Sequence, residues 1–366
     1  MAIKEGTAGA YGETQRPNPP AAWVAPTPDA DPLPTDNAYR FLLNDLGGQS
    51  KLERGSLYFT YHSRPDGIYR ISLSDQAPVP ELVVSSAFPD GSLQASNLFI
   101  AGDWLVFMDL PFSGGNSVWK LRAHNLKSGE DRTLLDEPGD AKSWPGPTYS
   151  ADGDRVAWTH NSWSEGLKCT VNILGVTDLR TGEVRELDRG CADYAMMWSI
   201  LALSGDNLIV EQDMADNLGR GNRIWLFDLT DSSRRLISGE GNASMPVASG
   251  PWVVWKDTQR YDHATLLTLY NLDTSASKQI STCTAGRDPS DPSLSGEWIF
   301  WVCVAGDSNA WYAYRISDGH KFVLMPPGPD LGVGPLRIAD GWMLWAVTTN
   351  IHETGGKTIL YWRPYP

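Results

Sequence analysis

Six residues able to do chemistry recur along this chain at similar intervals: His62, Asp109, His160, Asp213, Asp257 and Asp307. Their spacing of roughly 44 to 53 residues is that of a repeat array. Asn350 continues the series, and Arg64, Asn161, Glu165, Asp216, Arg220, Arg260, His263 and His352 lie close by. Carboxylate oxygens and imidazole nitrogens hold divalent cations. The same groups also move protons as general acids and bases. Either chemistry requires these residues to converge, so the segments carrying them must be arranged about a common axis. Asp is equally a common turn residue and connecting loops are polar, so a ring of solvated loops would show the same pattern.

The segments preceding these residues are copies of one phrase. It reads Gly250-Pro-Trp-Val-Val-Trp255, Gly296-Glu-Trp-Ile-Phe-Trp301 and Asp340-Gly-Trp-Met-Leu-Trp345. Looser copies begin at Gly55, Gly102, Gly153 and Gly205. Each is a turn followed by a short continuous apolar run, the pattern of a strand buried on both faces. Residues three apart in a strand point to opposite faces, so Trp252 and Trp255 pack against different neighbours. A second strand follows each phrase, then an Asn/Asp/Ser/Gly turn such as Lys127-Ser-Gly-Glu130 or Arg180-Thr-Gly-Glu183, then a third strand. With an inner strand before each phrase, every unit has four strands. The expected fold is all-β, a seven-bladed β-propeller, with six blades as the alternative if one phrase is a decoy.

One stretch also carries a resemblance. Pro147-Thr-Tyr-Ser-Ala-Asp-Gly-Asp-Arg-Val-Ala-Trp-Thr-His160 resembles the repeat of TolB-like propellers, the WD40-like β-propeller repeat, with Ala151 where that pattern has Pro. Tyr61-His-Ser-Arg-Pro-Asp-Gly-Ile-Tyr69 resembles the later part of the same repeat. The resemblance implies a propeller and, by the habit of that family, protein binding; it carries no catalytic residue across.

Residues 1–37 differ in kind, with Pro17, Pro19, Pro20, Pro26, Pro28, Pro32 and Pro34 crowded together. Such a stretch favours an extended arm or linker over a core. Residues 38–366 are read as the propeller, its ring closed by a strand at 39–43 joining the last unit, which lacks an outer strand of its own.

The formal net charge is −14 over 366 residues. That acidity argues against nucleic-acid partners and against docking on anionic lipid. No apolar run reaches the length of a membrane span, and the N-terminus has no apolar signal core. The four cysteines fall into local pairs, Cys169 with Cys191 and Cys283 with Cys303. These read either as two short-loop disulfides or as buried thiols, with spacings unlike zinc sites. Disulfides would favour a periplasmic or extracellular compartment.

The longest insertions follow the phrase strands and carry Phe112, Trp163 and Tyr261, aromatics without an evident core duty and hence candidate interface residues. No Gly-x-Ser-x-Gly elbow, phosphate loop or haem motif appears. On these grounds the first expectation is a non-catalytic protein-binding or assembly propeller, docked to a protein partner through its N-terminal arm and needing no cofactor. The alternative is a cation-dependent enzyme, lyase or carbohydrate-active, or a small-ligand binder, using the polar mouth.

Overall fold

The computed structural model describes residues 30–32, 39–43, 46–61, 67–74, 79–88, 96–110, 118–137, 146–191, 197–213, 221–239, 242–258, 265–280, 283, 288–305, 308–325, 332–333, 337–339, 342–349 and 357–364. Every regular element among them is a β-strand. Two strands lead, β1 (Ala30–Pro32) and β2 (Tyr39–Leu43). Blade 1 is β3 (Leu46–Glu53), β4 (Ser56–Tyr61), β5 (Gly67–Ser72) and β6 (Glu81–Ser85). Blade 2 is β7 (Ser96–Ala101), β8 (Trp104–Asp109), β9 (Trp119–Asn125) and β10 (Asp131–Glu137). Blade 3 is β11 (Thr148–Asp152), β12 (Arg155–Ser164), β13 (Cys169–Asp178) and β14 (Val184–Cys191). Blade 4 is β15 (Met197–Ser204), β16 (Asn207–Asp213), β17 (Arg223–Asp228) and β18 (Arg234–Leu236). Blade 5 is β19 (Asn242–Ser249), β20 (Trp252–Thr258), β21 (Thr265–Asn271) and β22 (Ser277–Ile280). Blade 6 is β23 (Asp288–Ser295), β24 (Trp298–Ala305), β25 (Ser308–Arg315) and β26 (Lys321–Met325). The last sheet holds β27 (Gly332–Val333), β28 (Arg337–Ala339), β29 (Trp342–Thr349) and β30 (Lys357–Pro364).

Seven sheets thus follow one another along the chain, consecutive strands within each running antiparallel. Their innermost strands close a ring, β3 beside β7, then β11, β15, β19, β23, β28 and again β3. The fold is a β-propeller, and every glycine phrase opens the second strand of its own sheet, so none is a decoy. Two leading strands add to the ring's last sheets. β1 pairs in parallel with β26, and β2 pairs antiparallel with β30, Phe41 opposite Leu360. The rest of the Pro-rich stretch lies outside the described residues.

The phrase works as its residue types require. Gly153 sits at φ 58°, the left-handed region where a Cβ is strained, and turns β11 back into β12. Beside the glycine turns, in blades 2 and 3, a short polar side chain ties the turn between the third and fourth strands. Asn125 Oδ1 accepts the Lys127 and Ser128 amides, and Asp178 Oδ1 accepts those of Arg180 and Thr181. The apolar runs then bury on both sides. Trp255 packs with Ile209 and Ala243 between blades 4 and 5, whereas Trp252 packs with Val254 and Trp301 between blades 5 and 6.

Antiparallel order gives the ring two faces. The glycine turns lie on one. The loops between second and third strands, and the connections between blades, emerge on the other, here termed the loop face. Both cysteine pairs are disulfides, and both sit at the loop face. Cys169–Cys191 ties the tall β12–β13 hairpin to the end of β14. Cys283–Cys303 ties the connection leaving blade 5 to the second strand of blade 6. Two disulfides are compatible with an oxidising compartment. Replacing Cys169 and Cys191 together by Ala is expected to lower stability by about 3 kcal/mol, from the loop they close. Urea titration checks this; an unchanged midpoint would show the bridge to be energetically idle. No helix among the described residues is long and apolar enough to cross a membrane.

Candidate functional site

Alternation along each second strand decides which blade interface its polar residues enter. In β8, Leu105 and Phe107 pack toward blade 1, and Asp109 follows them on the same face. Asp109 is fully buried there. It accepts the Arg122 guanidinium at 2.7 Å, the Ala87 amide at 2.8 Å and the Ser86 hydroxyl at 3.2 Å. Arg122 also reaches the Ser85 carbonyl at 3.0 Å and Asp131 at 3.2 Å. Asp109 is therefore committed to a desolvated ion pair joining blades 1 and 2.

His160 follows Val156 and Trp158 toward blade 2, and its half-buried ring lies edge-on to Trp119, centroids 5.3 Å apart. His62 and Asp307 lie outside the described residues, as do Phe112 and Tyr261. Trp163 is described: it stands on the stapled β12–β13 hairpin, 40% exposed, its indole donating to Glu165 at 2.9 Å. Asn161 joins blade 3 to blade 4 through Asn172, whose Oδ1 accepts the Trp198 amide at 2.9 Å.

Two of the candidate residues do share an interface, together with a third carboxylate that the sequence reading passed over. In β16, Ile209 packs toward blade 5, and Glu211 and Asp213 continue that face toward the loop end. In β20, Val253 and Trp255 pack toward blade 4, and Asp257 continues that face. Glu211 and Asp213 therefore face the crevice, here the interface between blades 4 and 5 at its loop end, from blade 4, and Asp257 faces it from blade 5.

Glu211 is only 4% exposed. Its Oε1 accepts Asn222 Nδ2 at 2.6 Å and its Oε2 accepts the Met245 amide at 2.9 Å. Burial pushes its pKa up; those two hydrogen bonds oppose the rise, and the negative charge of Asp213 adds to it. Asp257 is half-buried and is also pushed up by burial, against one long hydrogen bond from the Thr268 hydroxyl at 3.4 Å. Two residues below Asp257, the buried Trp255 Nε1 meets no acceptor among the described residues.

For both acids the folded pKa exceeds the unfolded one, so their contribution to stability is present below the ordinary carboxylate values of 4.5 and 3.8. It is lost as pH rises through the folded values. Glu211→Gln is accordingly expected to make thermal stability fall less steeply just above that range, as scanning calorimetry at stepped pH would read. A slope equal to the parent's would show that Glu211 titrates normally.

Glu211 left a signal in the sequence that was legible in principle. A Glu two residues after the apolar Ile209 in a doubly buried strand must be satisfied inside an interface. Among the described residues no group of three or more His, Cys, Asp and Glu side chains is placed to hold a metal ion.

Comparison with known proteins gives the fold its relatives. No family model matches the chain, and no curated protein does. Solved structures do. The β-propeller domain of the Trilobed protease from Pyrococcus furiosus, described as having an open velcro topology, matches at 11% identity and TM-score 0.59, over 89% of this chain and 95% of that one. An oligogalacturonate lyase in complex with manganese matches at 14% identity and TM-score 0.58, over 91% and 92%. A prolyl endopeptidase matches at 10% identity and TM-score 0.64, over 88% of this chain, which spans only 50% of that one.

The fold is shared with these propellers. Their identities also correct the first expectation, of a non-catalytic protein-binding or assembly propeller. The matching propellers are a lyase and parts of peptidases, which favours the enzyme alternative. Likeness at 10–14% identity transfers no residue.

Proposed function

We propose that this chain is an enzyme whose site is the crevice between blades 4 and 5 on the loop face, acting on a saccharide by proton transfer. The observation that supports this most is Asp257. It is a half-buried carboxylate with a raised pKa and, among the described residues, one long hydrogen bond, on the same blade interface as Glu211 and Asp213. Raising a carboxylate pKa makes it a stronger base near neutral pH and lets it hold a proton for a leaving group. Asp257 is assigned that role. Glu211, with both oxygens already accepting hydrogen bonds, holds the Met245 amide and Asn222 in place and is a positioning residue.

The class of reaction is hydrolysis at a glycosidic oxygen or, where the sugar is a uronate whose carboxyl acidifies the neighbouring C–H, elimination of that oxygen; each needs a base and an acid. The full-length match to a lyase agrees with it, because that enzyme's chain is covered over 92% of its length. The manganese of that complex makes a divalent cation the first additive to include. The described residues form no cage for it, and the proton transfer is assigned to this chain's carboxylates.

The deciding experiment is a saccharide panel, neutral and uronate, with and without manganese. Products are read by reducing-end assay and by the ultraviolet absorbance of a new conjugated double bond. Turnover that Asp257→Asn removes supports the reading; turnover unaffected by Asp257→Asn overturns it.

A further inference from the structure

Five innermost strands carry a bulge at about the same level of the ring. The pairing of β3, β7, β15, β19 and β23 with the strand that follows each one breaks between Leu46 and Ser50, Ser96 and Phe99, Trp198 and Leu201, Ser244 and Val247, and Ser290 and Ser293. A bulge bends its strand and re-aims the side chains within it. The residue types inside the bulges differ between copies. Blade 1 has Gly47 and Gly48 there, and blade 2 has Asn97, exposed, at φ 52°. Glycine and asparagine adopt left-handed backbone at least cost. Blade 5 has Met245, at φ 56°.

Methionine is a costly residue for that conformation. A bulky side chain at positive φ is strained, and Pro246, next in sequence, steers the residue before it toward extended backbone. Burial gives little in return, because Met245 remains 37% exposed. The conformation is held from blade 4. The Met245 amide donates to Glu211 Oε2 at 2.9 Å, and Asn222 Nδ2 donates to Glu211 Oε1 at 2.6 Å. Asn222 is tied back to β19 in turn: its amide donates to Asn242 Oδ1, and its carbonyl accepts the Ala243 amide, both at 2.9 Å. Ala243 lies directly opposite Asp257 in the pairing of β19 with β20, so Met245 stands two residues along β19 from the position beside Asp257. Backbone strain that its surroundings over-determine collects at functional sites.

We infer that Met245 contacts the substrate: its exposed side chain, on the innermost strand bordering the crevice between blades 4 and 5, receives the apolar C–H face of a sugar ring and so selects which ring is accepted beside Asp257. The inference rests on the saccharide reading above and deepens it. Methionine suits the task, since its unbranched, polarisable chain moulds itself to an apolar surface.

The test replaces Met245 by asparagine, the residue that blade 2 uses in the same bulge. Met245→Asn keeps the amide that Glu211 holds and relieves the backbone. Its urea midpoint is expected to stay at or above the parent's. Its kcat/KM for the sugar of the panel converted fastest should fall about tenfold, mainly through KM, the scale for one lost apolar contact. Met245→Leu, apolar and of similar volume, should keep most of the activity. Asn97→Met, the reverse exchange in blade 2, should lower the midpoint and leave kcat/KM at the parental value.

Parental kcat/KM in Met245→Asn overturns the inference and leaves the enzyme reading standing. A lowered midpoint in Met245→Asn overturns it as well, since methionine would then serve the fold, and so does an Asn97→Met chain as stable as the parent. If no sugar of the panel is converted, the enzyme reading falls, and calorimetric titration of parent and Met245→Asn with the same sugars decides the inference. Binding that the substitution weakens about tenfold sustains it. Binding indifferent to the substitution, or no binding at all, overturns it.

Discussion

Asp257→Asn is expected to lower turnover by about 10²- to 10⁴-fold, the usual worth of a positioned general acid or base. Asn keeps the shape and can still accept from Thr268, so the fold should be unharmed. It cannot take up a proton near neutral pH. Because burial holds the Asp257 pKa above its ordinary value of 3.8, the acid limb of the parent's pH–rate profile should be displaced upward. If Asp257 acts as a base, activity falls as pH drops through that limb, since the ionised form is the working one. Parent and variant kcat compared at stepped pH values, with KM measured alongside, check both statements. A variant with parental kcat, or a parent whose acid limb sits at the ordinary carboxylate value, contradicts the assignment.

Asp109→Ala is expected to be the most destabilising single change, costing about 3–5 kcal/mol, the scale for breaking a buried ion pair on one side. Asp109 is fully buried, and Arg122 nearly so, with its side chain 8% exposed. Removing the carboxylate strands the guanidinium and the Ala87 amide together at the junction of blades 1 and 2. The remaining partner, Asp131, is half-exposed at 3.2 Å and compensates only in part. Asp131→Ala provides the contrast, with an expected loss of no more than about 1 kcal/mol. Urea unfolding of the two variants beside the parent separates them. Equal midpoints for both would mean that Asp109 is not the keystone its burial indicates. The comparison also bears on function, because a folded Asp109→Ala chain should keep whatever turnover Asp257 supports.

The fold was legible because the signal that builds it is repeated. Glycine at a turn with positive φ, then a short apolar run, can be recognised even in the copies at Gly55 and Gly205, which lack the tryptophans. The cysteine pairings were legible for a related reason. Once Cys169 and Cys191 are placed in the strand frame, both fall at the loop face of one sheet.

The candidate site was legible only in part. Equivalent positions in a repeat reach the same face, which is why Asp213 and Asp257 belong to one series in the sequence. Equivalence does not state which interface a side chain enters, and that depends on strand parity. Parity carries Asp109 under blade 1 and His160 against Trp119, each away from the crevice. Glu211 was passed over because the candidate series follows the starts of the loops, and Glu211 lies inside its strand, directly after the apolar run. The function expected first leaned on missing motifs and on a family's habit. Neither speaks to a carboxylate pair, whose significance comes from burial across two blades.

The most direct test of the central claim is an amide and indole chemical-shift map of the chain, titrated with the saccharide of the panel that is turned over fastest. The account predicts that the largest shifts fall at the Met245 amide, the Asn222 side chain and the Trp255 indole, all bordering the crevice between blades 4 and 5. Shifts concentrated instead at the junction of blades 1 and 2, or on the outer strands, would place the ligand elsewhere and contradict the account.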